Sequence, residues 1–192
     1  MAVSTTFFAD GKPHLDDRPA SPAFGFKAES GRAERRDAGA FRDETETWDE
    51  TMNDPYRLER FVVAQNQGGT YDRARQELRA GRKESHWMWF VFPQIAGLGF
   101  SAMSIEYAIS SLEEAQAYLR HALLGPRLRE CAVIVLQTQG LDAQDIFGDI
   151  DAQKLHSSMT LFVRAAPDEP LFTQMIDRFF GGRPDRATDE RL

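Results

Sequence analysis

Residues 85–94 read SHWMWFVFPQ, with two tryptophans, two phenylalanines, a methionine and a valine in immediate succession. Such a run has to be enclosed, because each large apolar side chain gains roughly 1.5–3 kcal/mol from burial. The rest of the chain must therefore build walls around it. As a strand, the run would place Trp87, Trp89 and Val91 on one face and Met88, Phe90 and Phe92 on the other. Both faces would be apolar, as in the central strand of a parallel sheet. As a helix capped by Ser85 and ended by Pro93, it would be apolar all round and central. Strand partners are scarce, since AVIVL (132–136) and LFVRA (161–165) each lie inside a good helical pattern. Length and context favour the helix.

The walls share one grammar of cap, apolar stripe and stop. Asp54 with Pro55 begins a helix whose face carries Leu58, Phe61, Val62 and Gln65. Thr70 caps a second, with stripe Tyr71, Ala74 and Leu78 and a stop at Gly81. Ser111 and Glu114 form a capping-box pattern ahead of Leu112, Ala115 and Leu119. Pro126 opens a helix that buries Leu128, Cys131, Ala132 and Val135 and stops at Gly140. Leu155, Ser158, Met159 and Phe162 align on another. Asp168 caps a last one, with Phe172, Met175, Ile176 and Phe179 before a glycine pair. Short helices with short connections predict a single compact all-α domain over residues 54–192.

Residues 1–53 lack this grammar. Their apolar residues stand singly (Phe24, Phe26, Phe41, Trp48), too sparse to offset ordering entropy, so a disordered N-terminal extension is expected. Lys and Arg number 7 against 11 Asp and Glu there, leaving 16 against 19 in residues 54–192; the differences, −4 and −3, give the net −7. A mildly acidic chain has no global attraction for phosphate backbones, which disfavours nucleic acid as a partner. The lone Cys131 excludes an internal disulfide framework. The start, MAVSTTFFADGKPH, carries neither a basic n-region nor the apolar run of a signal peptide. No stretch approaches the ~20 apolar residues needed to span a bilayer. A cytoplasmic protein without membrane association is expected.

Standard catalytic signatures are missing: no G-x-S-x-G, H-E-x-x-H, C-x-x-C or Walker loop. His86, His121 and His156 have no metal-ligand spacing, so neither a metal nor a cofactor is expected. GLGFSA, with Gly97, Gly99 and Ala102, matches a dinucleotide fingerprint, yet no strand precedes it; a tight turn before a helix capped by Ser101 is the plainer reading. Polar groups at the ends and flanks of the aromatic run mark the candidate site. His86, Trp87, Trp89 and Gln94 are candidate ligand contacts, because buried indole N–H groups need partners and amides fix orientation. On KLHSS (154–158) and just beyond it, Lys154, Ser157 and Thr160 form a second polar cluster, with Lys154 suited to an anion. Their bland alternative is hydroxyl bonding back to the helix's own carbonyls. Arg82, Lys83 and Arg127 are candidate anion-binding residues, whose bland alternative is a solvated basic face. Cys131, on an apolar stripe, reads as inert packing.

The blocks GRKESHWMWFVFPQIAGLGFS, EYAISSLEEAQAYLRHALLGPRLRE, KLHSSMTLF and FFGGRPDRATDERL together resemble the DUF1810 family, found widely in bacteria. The resemblance runs from about Asp54 to Leu192 and implies a mainly α-helical fold of its own type, with no established activity and no catalytic residue to carry over. Three functions stay open on the residues alone. The favoured one is a domain binding a small anionic or nucleotide-like ligand, with or without catalysis. The others are a non-catalytic protein-interaction module and a binder of single-stranded nucleic acid.

Overall fold

The computed structural model describes residues 54–192; the expected N-terminal extension lies outside them. The described chain is all-α, as the cap–stripe–stop grammar predicts. Its helices are α1 (Glu59–Asn66), α2 (Thr70–Arg79), α3 (Met88–Val91), α4 (Ala102–Glu106), α5 (Leu112–Arg120), α6 (Leu124–Gln137), α7 (Ala143–Ala165), α8 (Pro170–Phe180) and α9 (Arg186–Asp189). A single 3-10 turn, Gln67–Gly69, joins α1 to α2. The longest helix, α7, packs on α5, α8 and α9, while α6 packs on α2, α5 and α8. Their stripes meet in one apolar core. No strand forms among the described residues; the nearest approach is one parallel bridge, Ile95 to Ile109.

The aromatic run is enclosed, but as less helix than its pattern predicts. Only Met88–Val91 coil, and Trp87, not Ser85, precedes the turn. Ser85 is drawn elsewhere: its hydroxyl and N–H both donate to the Glu77 carboxylate, at 2.5 and 3.0 Å. A charged acceptor outcompetes a helix end. Pro93 ends the turn as expected, with Phe92 pushed out of the helical region (φ −122°, ψ 71°). Trp87, Met88 and Phe92 are wholly buried.

The caps differ in detail. Asp54 does not sit at the first turn of α1; a bend intervenes, with Arg57 at φ 53°. The Asp54 carboxylate still accepts the N–H groups of Leu58 and Glu59, at 2.7 and 2.8 Å, so it caps α1 from a distance. Thr70 is the first helical residue of α2 rather than its cap. Ser111 caps α5, but the Glu114 carboxylate turns away to Ser110 and to Arg60, at 2.7 Å, a largely buried ion pair. Helix α6 begins at Leu124, ahead of the expected Pro126. Glu169, not Asp168, precedes α8, and Pro170 takes its first position.

Helix α7 carries a break absent from the sequence reading. Gly148 adopts φ 71°, ψ 167°, a conformation essentially confined to glycine, and the chain resumes helical geometry at once. Asp142 and Asp145 form a full capping box ahead of it. The expected stripe holds beyond the break: Leu155, Ser158, Met159 and Phe162 are all buried. Between α5 and α6 the packing is closer still, because a Cβ at Gly125 would lie 2.1 Å from the Leu119 carbonyl oxygen.

Candidate functional site

Three distant stretches meet at one cleft of about 410 Å³. The aromatic run and the loop after it contribute Trp89, Gln94, Leu98 to Ser101 and Ser104, helix α7 Ile150, Gln153, Lys154, His156 and Ser157, with Asp151 behind Lys154, and the α9 end Asp185 and Ala187. Each wall has a local cause. The Ile95 bridge pins the main chain, since Ile109 N–H donates to the Gln94 carbonyl and Ala96 N–H to the Ile109 carbonyl, both at 2.8 Å. Ser101 caps α4 by accepting the Ser104 N–H. That turn is tight: a Cβ at Gly99 would meet Ser104 at 2.6 Å. Gly148 sets the direction in which Ile150, Gln153, Lys154 and Ser157 leave the first part of α7.

The electrostatics centre on Asp151. Its two oxygens accept separately from Lys154 and Lys83, each at 2.6 Å. Burial raises the Asp151 carboxyl, but hydrogen bonds from the two lysines and their charges outweigh it and hold it below the usual range. Two ammonium groups share one carboxylate, so the cluster keeps a surplus positive charge. Lys83 is the more buried and also donates to the Ser85 carbonyl at 2.8 Å. Lys154 faces the cleft with its ammonium 4.5 Å from the Trp89 ring, a cation–π contact that fixes its position.

Beside Ser157 in the same lining stands Asp185, the cap of α9. Ser157 donates its hydroxyl to Asp185 Oδ2 at 2.9 Å, and Thr188 donates hydroxyl and N–H to the same oxygen at 2.7 and 3.1 Å. Burial raises this carboxyl too, but the Thr188 and Ser157 bonds and the nearby His156 hold it below the ordinary range. The His156 ring stacks on Phe180 at 4.1 Å and sets Nε2 2.6 Å from the Arg183 carbonyl oxygen, so that nitrogen donates. At the mouth, Phe100 is 92% exposed and Ile150 73%.

Of the residues singled out from sequence, Trp89, Gln94, Lys154 and Ser157 line this cleft together. The others lie elsewhere. His86 is exposed on the bend before α3 and does not line the cleft. Trp87 is sealed in the core, and its indole N–H donates to Glu77 at 2.7 Å. Thr160 is buried, donating to the His156 carbonyl and accepting the Asp185 N–H at 2.8 Å, so it positions Asp185. Arg82 is exposed, 3.9 Å from the Glu84 carboxylate. Lys83 reaches the cleft only through Asp151. Arg127 stacks over Tyr71 at 4.4 Å and donates to Gln65 and Asn66, well inside the fold's own bonding. Cys131 is buried, and burial, reinforced by the Glu130 charge, pushes its thiol up to about 12, which leaves it unreactive.

Sequence reasoning passed over Asp185, Phe100 and Ile150. Asp185 had a signal, the Asp-x-x-Thr cap pattern with Thr188, but not one that separates a cap from a ligand contact. No group of three or more His, Cys, Asp and Glu among the described residues could hold a metal ion. No helix among them is long and apolar enough to cross a membrane.

A family model described as a protein of unknown function, DUF1810, matches residues 55–192. No curated protein matches the chain. Among solved structures, the chain is similar to the conserved hypothetical protein Rv1873 of Mycobacterium tuberculosis. The two are 54% identical with a TM-score of 0.70, over 72% of this chain and 98% of that one.

Proposed function

Since the chain belongs to the DUF1810 family, whose description carries no activity, we propose from the cleft alone that this protein binds a small anionic ligand bearing a flat apolar group. The carrying observation is the shared carboxylate. Asp151 divides its charge between Lys83 and Lys154, so Lys154 faces the cleft with only part of a counter-charge, in a lining that also holds Asp185 and in a chain whose net charge is −7. The site is roomy and half apolar: at about 410 Å³ it falls within the ~300–1,000 Å³ typical of small-molecule sites. Leu98 and Phe100 offer the flat group a surface; the side-chain amides of Gln94 and Gln153 make no hydrogen bond within the described residues and are free to orient a ligand.

The test is thermal unfolding of the full chain with phenyl phosphate, benzoate and inorganic phosphate. A ligand at a hundredfold excess over its dissociation constant stabilises by roughly 2.7 kcal/mol. The expected result is a rise in Tm with phenyl phosphate that Lys154→Gln abolishes and Arg82→Ala leaves intact. An equal rise in Lys154→Gln, or no rise with any probe, overturns the proposal.

One observation favours a protein partner as the second reading. Phe100, Ile105 and Ile150 are exposed apolar side chains, and Phe100 and Ile150 stand at the cleft mouth. On that reading Ile105→Ser, outside the cleft lining, lowers self-association or partner binding without touching phenyl phosphate. Single-stranded nucleic acid gains no support: Arg75, Arg79 and Lys83 each already contact a carboxylate, and the chain as a whole is acidic, at −7.

A further inference from the structure

Asp185 is bonded on one side only. All three donors that reach its side chain, from Ser157 and from Thr188 twice, converge on Oδ2, and among the described residues Oδ1 accepts nothing. The group is held rigidly, since its own N–H donates to Thr160, which is locked in turn to the His156 carbonyl. A saturated Oδ2 and an open Oδ1 make a fixed, directional acceptor on a wall of the cleft. The donors that bind Oδ2 keep the group ionised at neutral pH, so it serves better to receive a hydrogen bond than to take a proton away.

The ligand must then bring a donor as well as an anion. Lys154 and Ser157 are three apart on α7, which puts them side by side at ~5–6 Å between Cβ atoms, with Asp185 bonded to Ser157. The donor and the anionic group of the ligand are therefore close together. An ammonium donor is disfavoured by repulsion from the Lys154 ammonium beside it. A hydroxyl is not, and it pairs equally with the amides of Gln94 and Gln153, which donate and accept. Resting on the cleft reading above, we infer that the ligand is a phosphorylated sugar carrying a flat base, of the nucleoside monophosphate class, with its ribose hydroxyls donating to Asp185 Oδ1.

The experiment is calorimetric titration of the full chain with AMP, with dideoxyadenosine monophosphate, which lacks both ribose hydroxyls, and with phenyl phosphate. The wild-type protein is expected to bind AMP about tenfold more tightly than the dideoxy compound, the usual effect of one hydrogen bond to a charged group. In Asp185→Asn that advantage disappears while the dideoxy affinity stays. Asparagine is as good a helix cap as aspartate, and its amide oxygen can take the three donors, turning an NH₂ into the cleft where an acceptor stood. Equal affinity for AMP and the dideoxy compound in wild type overturns the inference, as does an equal loss of both in Asp185→Asn. If phenyl phosphate binds while AMP gains nothing from its hydroxyls, the sugar assignment falls and the anion cleft stands. If no probe binds, the cleft reading itself falls. The wild-type comparison needs no variant, so a misfolded Asp185→Asn leaves the decision intact.

Discussion

Two polar clusters in this molecule each set glutamine and a cationic side chain around an aromatic residue, and they behave oppositely. Around Phe90, Gln65 donates to the Phe90 carbonyl at 2.8 Å and to the Tyr118 hydroxyl at 3.1 Å, Tyr118 donates to the same carbonyl at 3.1 Å, and Arg127 closes the set on the Gln65 oxygen. Every group answers another. Around Trp89, by contrast, two lysines share one carboxylate, and among the described residues nothing bonds to one oxygen of Asp185 or to two glutamine amides. An aromatic surrounded by polar side chains is thus no sign of a binding site. What separates scaffold from site is whether the hydrogen-bonding capacity closes on itself.

The contrast can be broken hardest at the scaffold. Gly125→Ala drives a methyl to 2.1 Å from the Leu119 carbonyl oxygen, where backbone cannot yield. A loss of about 3 kcal/mol is expected in urea unfolding, the upper range for overpacking. A loss below ~0.5 kcal/mol means that α5 and α6 are not so tightly apposed.

Glu77 comes next. Its carboxylate accepts from Glu84 N–H, Ser85 N–H and hydroxyl, and the Trp87 indole, and so holds the whole entry to the aromatic run. Glu77→Gln is expected to cost about 2 kcal/mol. The pH dependence follows the same groups. Burial raises the Glu77 carboxyl, but the Ser85, Glu84 and Trp87 bonds hold it below its ordinary value; Asp151 behaves alike. A carboxyl depressed on folding stabilises above its unfolded value and loses that contribution as pH falls through the lower folded one. Tm is therefore flat near neutrality and declines below about pH 4, less steeply in Glu77→Gln. A Tm unchanged between neutrality and pH 3 contradicts this.

A smaller effect runs the other way. The Ser158 hydroxyl is buried and, among the described residues, has no hydrogen-bond partner. Ser158→Ala is expected to raise stability by about 1 kcal/mol; a loss of that size reveals a bond. Smallest of all is Gln153→Ala at the cleft wall, expected to change stability by less than ~0.5 kcal/mol while weakening phenyl phosphate binding. A large destabilisation there would place Gln153 in the scaffold, and the comparison would lose its sharpness.

Much of the scaffold was legible because helices announce themselves locally. Tyr71, Ala74 and Leu78, or Phe172, Met175 and Ile176, fall on one face by spacing alone, and all are buried. The aromatic run was harder, since its fate hinged on a carboxylate eight residues before Ser85 that no local pattern connects to it. Of the cleft, Lys154 and Ser157 lie on one helix face and were legible as a pair. That they meet Trp89 and Gln94 depends on the Ile95–Ile109 bridge and the turn at Gly148, both long-range or conformational facts. His86 and Trp87 misled for a physical reason: adjacency in sequence does not distinguish an indole bonded to Glu77 from one bordering a cleft.

Because each oxygen of Asp151 is engaged by its own ammonium, withdrawing Lys154 still leaves the carboxylate tethered by Lys83 to the segment after α2. If the proposed anion binds, it competes for one side chain, Lys154, already placed by Trp89 and Asp151. A cleft of that kind would be pre-shaped for the proposed ligand, with a backbone shift below ~1 Å expected on docking and capture limited by encounter.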